Sequence, residues 1–367
     1  MLKTNKKISV RQMFLLNTVI ILAPSIRLLS NYSAKYAKQA TWVVPAIYFV
    51  IYLLSILMFD KLLKNYKNKS FIEIILDITT TPIGKIILSF YAIWMSILLS
   101  LYVRYYAERI VGSLYPYTKI EVFVVVMLVI VSLILKSGIV VIARMNEVIF
   151  AVIIIIIIFL VSLMIPNVSI LSLTPISYLD IIPSFKGTLG LSALFYLPYI
   201  LFFANEVSDM DNFLREGIIF GIFTWFITTM VIIASIGTVG HDMLSSSPLP
   251  FLIAVKYINL LDIIGGFESI LIPTWIVADC ILICVFTYSI LSLVKAIFNL
   301  DDHKPYINIY LLFIYFSSFS LGYSMFEIKA FSVDLGIQVN TVIQIILPML
   351  IFTVGIFRKK VRKKQIE

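Results

Sequence analysis

Few residues of this chain are equipped for chemistry, and those few lie in apolar surroundings. Arg104 and Glu108 stand four apart in the stretch 84–113, a spacing that sets both on one helical face and lets them pair. Arg109 follows one residue on, about 100° further round the helix. Such a pair either lines a cavity or gate, or ties its helix to a neighbour. Asp279 lies midway along another apolar stretch, with no basic residue within four positions. A carboxylate there has to be protonated, paired across helices or hydrated, which makes it the best single candidate for a cation or proton site. Arg144 and Glu147 stand near the end of their stretch, where long side chains reach the membrane interface. Glu268 opens the stretch that holds Asp279, close to water.

The remaining reactive types point away from catalysis. His241 and His303 fall in polar loops, and Cys280 and Cys284 share one helical face at a spacing too wide for a disulfide. Without a histidine or acid cluster beside them, the thiols make a poor metal site and read as packing. No Walker loop, GxGxxG or HExxH occurs, and no segment gathers a nucleophile with a base. A non-enzymatic protein without cofactor or metal is expected.

The elements that position these residues follow from composition. The chain of 367 residues is 61% hydrophobic and only 13% charged, with a mean hydropathy of +1.03. A soluble domain is about 45–50% apolar and about 25% charged, so the excess faces lipid. Divided into runs of about 20 apolar residues, the sequence predicts ten spans: 11–33, 41–63, 84–113, 119–136, 139–165, 186–205, 215–240, 267–297, 306–326 and 336–357. Lys136-Ser137-Gly138 separates the fourth from the fifth. Lys3, Lys6 and Lys7 precede the first span like a signal peptide, but no small-x-small site follows, so that span is expected to be retained. Of the 29 basic residues, twenty fall on the side of the termini and six on the other. The positive-inside rule then puts both ends on the cytoplasmic or core side. The net charge of +9 reads as topology and attraction to anionic lipid, with no role for nucleic acid.

Pro24 in span one and Pro198 in span six each remove a helical N–H. Two interrupted spans five apart suit two five-span repeats, each beginning with a broken helix. This divides the chain into a tail 1–10, a first repeat 11–165, a second repeat 166–357 containing an extracytoplasmic loop 241–266, and a basic tail 358–367. Tyr102, Tyr105, Tyr196 and Tyr199 lie near these breaks, available to line a pocket or to pack helices together.

The residues also resemble a family. Ile8-Ser9-Val10-Arg11-Gln12 opens the chain, Trp42 enters span two, and Arg104-x-x-Ala107-Glu108 marks span three. Gly138-Ile139 and Ala143-Arg144 follow, then Pro248 and, in span eight, Phe267-Glu268-Ser269 with Trp275-Ile276. In this order they resemble the GerAB-type spore germination permeases, the B subunits of germinant receptors, within the amino acid–polyamine–organocation superfamily. The resemblance implies an all-α membrane protein of ten helices with a LeuT-like 5+5 inverted repeat, helices one and six broken. It implies a nutrient-sensing subunit in the spore inner membrane, assembled with A-type and C-type receptor subunits. A pocket between spans one, three, six and eight would bind a small-molecule germinant, often an amino acid. By position, that pocket would be lined by Leu22, Ala23, Pro24, Leu101, Tyr102, Leu197, Pro198, Ile281 and Leu282. Arg104, Glu108, Arg144, Glu268 and Asp279 would serve as structural or gating charges.

At several of these positions the sequence departs from the family pattern. Ile21-Leu22-Ala23 replaces a glycine-rich break, Pro198-Tyr199-Ile200 replaces Gly-x-Glu, and Glu206, Asp209 and Asp211 make the loop after span six acidic. The alternatives to an amino-acid sensor are a more apolar ligand, a proton- or cation-coupled amino-acid transporter, and a permease-like subunit with a vestigial pocket.

Overall fold

The structure, a computed structural model, describes residues 7–26, 30–258, 266–321 and 324–358. Arg27, inside the first predicted span, and most of the basic C-terminal tail lie outside them. Among the described residues there is no strand; one bridge joins Ile8 to Val207.

Span one is split. Helix α1 (Val10–Pro24) starts at Ser9, whose hydroxyl accepts the Gln12 N–H while the Gln12 side chain accepts the Ser9 N–H. This reciprocal cap satisfies two amides that a helix start leaves open. Helix α1 gives way after Pro24 to a π turn at Ser25 and Ile26, and α2 (Ser30–Ala37) follows. Spans two to five are α3 (Val44–Asn65), α5 (Thr81–Ser113), α6 (Ile120–Ser137) and α7 (Ile139–Met164), with a short capped helix α4 (Phe71–Ile78) between the first two. Gly138, at φ 90°, makes the turn between α6 and α7 where a side chain would be strained.

Span six is split as well, into α8 (Ile181–Ser192) and α9 (Leu197–Leu201). Spans seven to nine are α10 (Phe213–Ser246), α12 (Glu268–Phe298) and α13 (Ile307–Ser320), with α11 (Pro250–Lys256) lying between α10 and α12. Span ten is α14 (Met325–Phe331), α15 (Ile337–Thr341) and α16 (Leu347–Phe357), joined through two π turns. Seven helical runs among the described residues are long and apolar enough to cross a bilayer. The other three passages are the two broken spans and the 14-residue α13.

Pro198 does not sit in the break. It occupies the first turn of α9, where a missing N–H costs little. The interruption precedes it at residues 193–196, and Tyr196 there is left-handed, at φ 43°.

Burial ranks the helices from centre to rim. In the apolar window of α12, 78% of residues are buried inside the protein, against 28% in α6. Helix α12 packs along α5, and α1 lies against α7, α10 and α12. The distal halves of the broken spans, α2 and α8, pack side by side. Glycines permit that approach: a Cβ on Gly190 would lie 2.9 Å from the Tyr32 ring. Ser33 donates to the Gly187 carbonyl at 3.0 Å across the same seam. The face on which α1 begins and α16 ends is called here the near face.

Candidate functional site

The break in span six is built of aromatic rings. Tyr196 and Tyr199 stack at 5.6 Å, and both meet Phe286 of α12 edge-on, at 5.1 and 5.4 Å. Tyr102 of α5 also meets Phe286 edge-on at 5.8 Å, and its hydroxyl bonds that of Tyr196. Below them Phe202 stacks on Tyr199 at 6.2 Å and takes the Tyr91 ring at 5.1 Å. Edge-to-face pairs add about 0.5–1.5 kcal/mol each beyond area burial, so the cluster holds α5, α9 and α12 together at mid-depth. The N–H groups of Ala193, Leu194, Phe195 and Leu197 all donate to nearby carbonyls. That leaves the break with little to offer an anion.

Two cavities flank this plug. The far one holds about 860 Å³ of empty space including its open mouth. Its walls are Leu98, Leu101, Tyr102 and Tyr105 of α5, Ala193 and Leu194 of the break, and span ten from Ile328 to Asn340. Two amides define its polarity. Asn31 donates to the Ser247 carbonyl at 2.5 Å, which leaves its oxygen as an acceptor. Asn340 accepts from Trp94 Nε1 at 2.7 Å, which leaves its NH₂ as a donor. No charged side chain lines this cavity among the described residues.

The near cavity, about 770 Å³ including its mouth, is polar and is lined by Ser70, Glu73, Phe202, Asn205, Glu206, Lys295 and His303. Tyr288 donates to Glu206 at 2.7 Å and carries His303 on its ring at 5.1 Å. Burial, more than any neighbouring charge, lowers the His303 pKa below its ordinary value. The Ile8 N–H donates to the Glu206 carbonyl at 3.0 Å and the Ser208 N–H donates to the Ile8 carbonyl at 2.7 Å. The segment ahead of α1 is thereby fastened to the loop after α9.

The charges separate into two ties. Arg104 donates to Glu108 through Nε at 3.0 Å and Nη2 at 2.7 Å, with its guanidinium 4.9 Å from the Phe319 ring centre. Asp279 is paired across helices with Arg109, whose side chain is 0% exposed. That guanidinium lies 5.4 Å from the Trp275 ring and 5.9 Å from Tyr105. It therefore links the wall of the far cavity to α12. Arg144 is exposed near the start of α7, and Glu268 stands in the first turn of α12, where the helix dipole favours an acid.

The nine positions expected to form one pocket are distributed. Leu101 and Tyr102 face the far cavity. Leu22 and Ala23 line a smaller apolar space with Phe150, Trp275 and Ala278. Pro24 ends α1. Leu197, Pro198, Ile281 and Leu282 are buried in packing and line none of these cavities. Residues that sequence reasoning passed over are Asn31, Asn340 and Glu206 as cavity polar groups, and Arg109 as the partner of Asp279. A signal for Arg109 existed, since two lone opposite charges in different spans are cheapest when paired.

Two interrupted spans lying side by side within ten passages, with cavities above and below the break, are the arrangement of the LeuT-like inverted-repeat fold. The chain belongs to the spore germination protein family, which it matches over residues 7–323. Among curated proteins none matches it. Solved structures of similar fold include Mhp1, a nucleobase-cation-symport-1 family transporter in a closed conformation with bromovinylhydantoin bound. It is 12% identical at TM-score 0.62, over 99% of this chain and 83% of that one. Another is MhsT in complex with L-phenylalanine, 11% identical at TM-score 0.66, over 94% of this chain and 88% of that one. At such identities the likeness concerns fold. Family and fold are those of permeases rather than enzymes.

Proposed function

We propose that this chain is the ligand-sensing membrane subunit of a spore germination receptor. A small molecule enters the far cavity, bears on Tyr102, Ala193 and Leu194, and shifts the aromatic plug between two arrangements. A-type and C-type receptor subunits read that shift, in the spore inner membrane, with both termini on the core side. The observation that carries the reading is the floor of the far cavity. The residues a ligand would touch there are the ones that hold left-handed Tyr196, through its hydroxyl bond to Tyr102 and through the chain just before it. A ligand can shift such an element only by binding one arrangement better than the other.

A second reading, a proton- or cation-coupled transporter, draws support from the near cavity, which lies under the same plug as alternating access requires. Reconstitution of this subunit alone in liposomes separates the two. Counterflow of a labelled amino acid or nucleobase would reject the sensing-only reading, whereas ligand-induced thermal stabilisation without flux is the expected result.

A further inference from the structure

Helices α6 and α13 form a groove on the lipid-facing rim, away from the broken spans and independent of the function proposed above. Its floor is Leu128 and Leu311, 7% and 4% exposed, and its rims are Val125, Val129, Leu133 and Leu312, each 46% exposed or more. The polar groups are graded along it. Lys136 ends the α6 wall. Lys304 precedes α13 at helical spacing from the lining residues Asn308, Leu312 and Tyr315, and both lysines are exposed. Neither ammonium has an ion pair among the described residues, although the Lys304 backbone N–H donates to Asp302. One turn deeper, Ser132 donates to Asn308 Oδ1 at 2.7 Å, leaving the Asn308 NH₂ group to donate elsewhere. Beyond that, apart from the phenol of Tyr315, the lining is apolar as far as Val125.

These tiers have the dimensions of a lipid. Val125 and Lys136 are eleven residues apart, about 16 Å along a helix. One leaflet of a hydrocarbon core about 30 Å thick is the same depth. One helical turn, about 6 Å, separates the cationic level from the amide, matching the order phosphate, glycerol ester, acyl chain. A partner's transmembrane helix would have to bring an acid to the level of the two lysines and an acceptor to Asn308, whereas every anionic phospholipid carries both at this spacing. Charge complementarity therefore favours lipid.

We propose that this groove binds one anionic phospholipid of the near-face leaflet. Its phosphate is held by Lys136 and Lys304, an ester carbonyl by Asn308, and an acyl chain lies along Val125, Val129 and Leu312. Basic pockets between transmembrane helices recognise anionic headgroups by the same chemistry.

The test is native mass spectrometry of the full chain, released from detergent containing equal phosphatidylglycerol and phosphatidylcholine with identical acyl chains. The wild type should retain phosphatidylglycerol on the order of ten-fold over phosphatidylcholine. The double variant Lys136→Gln/Lys304→Gln should lose that preference while keeping phosphatidylcholine retention unchanged. Val129→Trp, which fills the groove, should reduce retention of both lipids, and Leu312→Trp serves if that variant does not melt like the wild type. Equal retention of the two lipids by the wild type would overturn the proposal, as would a preference that survives loss of both lysines. Unchanged lipid retention in the tryptophan variant would also overturn it. If that variant instead lost a co-purifying membrane protein, the groove would belong to a partner helix.

Discussion

Replacing Asp279 by leucine isolates the pair that ties α5 to α12. Arg109 is 0% exposed, and its Nε and Nη1 have no hydrogen-bond partner, so its contact with Asp279 is its one ion pair among the described residues. A guanidinium cannot shed its proton. Asp279→Leu therefore leaves a buried charge among the Trp275 and Tyr105 rings, with no carboxylate paired to it among the described residues. Removing one member of a buried pair costs about 3–5 kcal/mol. That is on the order of a hundred- to a few-thousand-fold in the folded-to-unfolded ratio. Replacing both members by apolar groups of similar volume is close to neutral, so Arg109→Met/Asp279→Leu should recover most of the loss. The assay is unfolding of the purified subunit in detergent, followed for wild type, both single variants and the double. Two outcomes refute the reasoning: Asp279→Leu as stable as wild type, or a double variant as unstable as Asp279→Leu alone.

Other consequences are simpler to test. Tyr102→Phe removes the hydroxyl bond to Tyr196 but keeps the ring; stability should fall by about 1 kcal/mol, and thermal unfolding reads it. Tyr196→Ala removes a fully buried ring from the centre of the plug and should cost about 3–5 kcal/mol, so a variant that melts like the wild type would show that the ring does not hold the helices together. Gly190→Ala sets a methyl 2.9 Å from the Tyr32 ring, and overpacking at the α2–α8 seam should cost about 1–3 kcal/mol, seen as a lower melting temperature. His303 has a folded pKa below its ordinary value of 6.5, so above that value it adds no pH dependence. As pH falls below it, the unfolded chain takes up the proton first and stability declines until the folded pKa is passed. A melting-temperature series from neutral to mildly acid pH should show this slope in the wild type and lose it in His303→Gln.

The spans were legible because bilayer thickness forces long apolar runs and the loops between them are polar. Gly138 marked the α6–α7 turn for a backbone reason that the sequence carries openly. The pocket was less legible. Helix α12 is apolar nearly all round, and its core window is 78% buried. Periodicity therefore does not tell which side of Ile281 or Leu282 meets a cavity. Pro198 marked the wrong edge of the break, because proline suits a helix start as well as a helix end. Nothing in the sequence announces that Tyr196, stacked on Tyr199 and edge-on to Phe286, is left-handed. Asp279 and Arg109 are 170 residues apart, so only the general cost of lone charges in lipid hinted at their pairing.

The fastening of the near face bears on which reading of the site is the better one. Ile8, Val10 and Ser208 contribute hydrogen bonds to that closure with Glu206 and Asp209, and Tyr288 adds a charge-assisted one to Glu206. At about 1 kcal/mol net each, they sum to roughly 5 kcal/mol. A ligand of millimolar affinity supplies about 4 kcal/mol in all, and only the difference in its affinity for two states can drive a change between them. Such a ligand cannot by itself both bind and release the near face. Transport would need a coupled ion to supply the remainder. Displacing Tyr102 and Tyr196 beneath the far cavity leaves those bonds intact; it disturbs their hydroxyl contact and their edge-to-face packing on Phe286, which passage through the plug would have to disturb as well. A weakly bound ligand in the far cavity is thus better matched to moving the plug than to opening the protein through it, and that difference favours sensing.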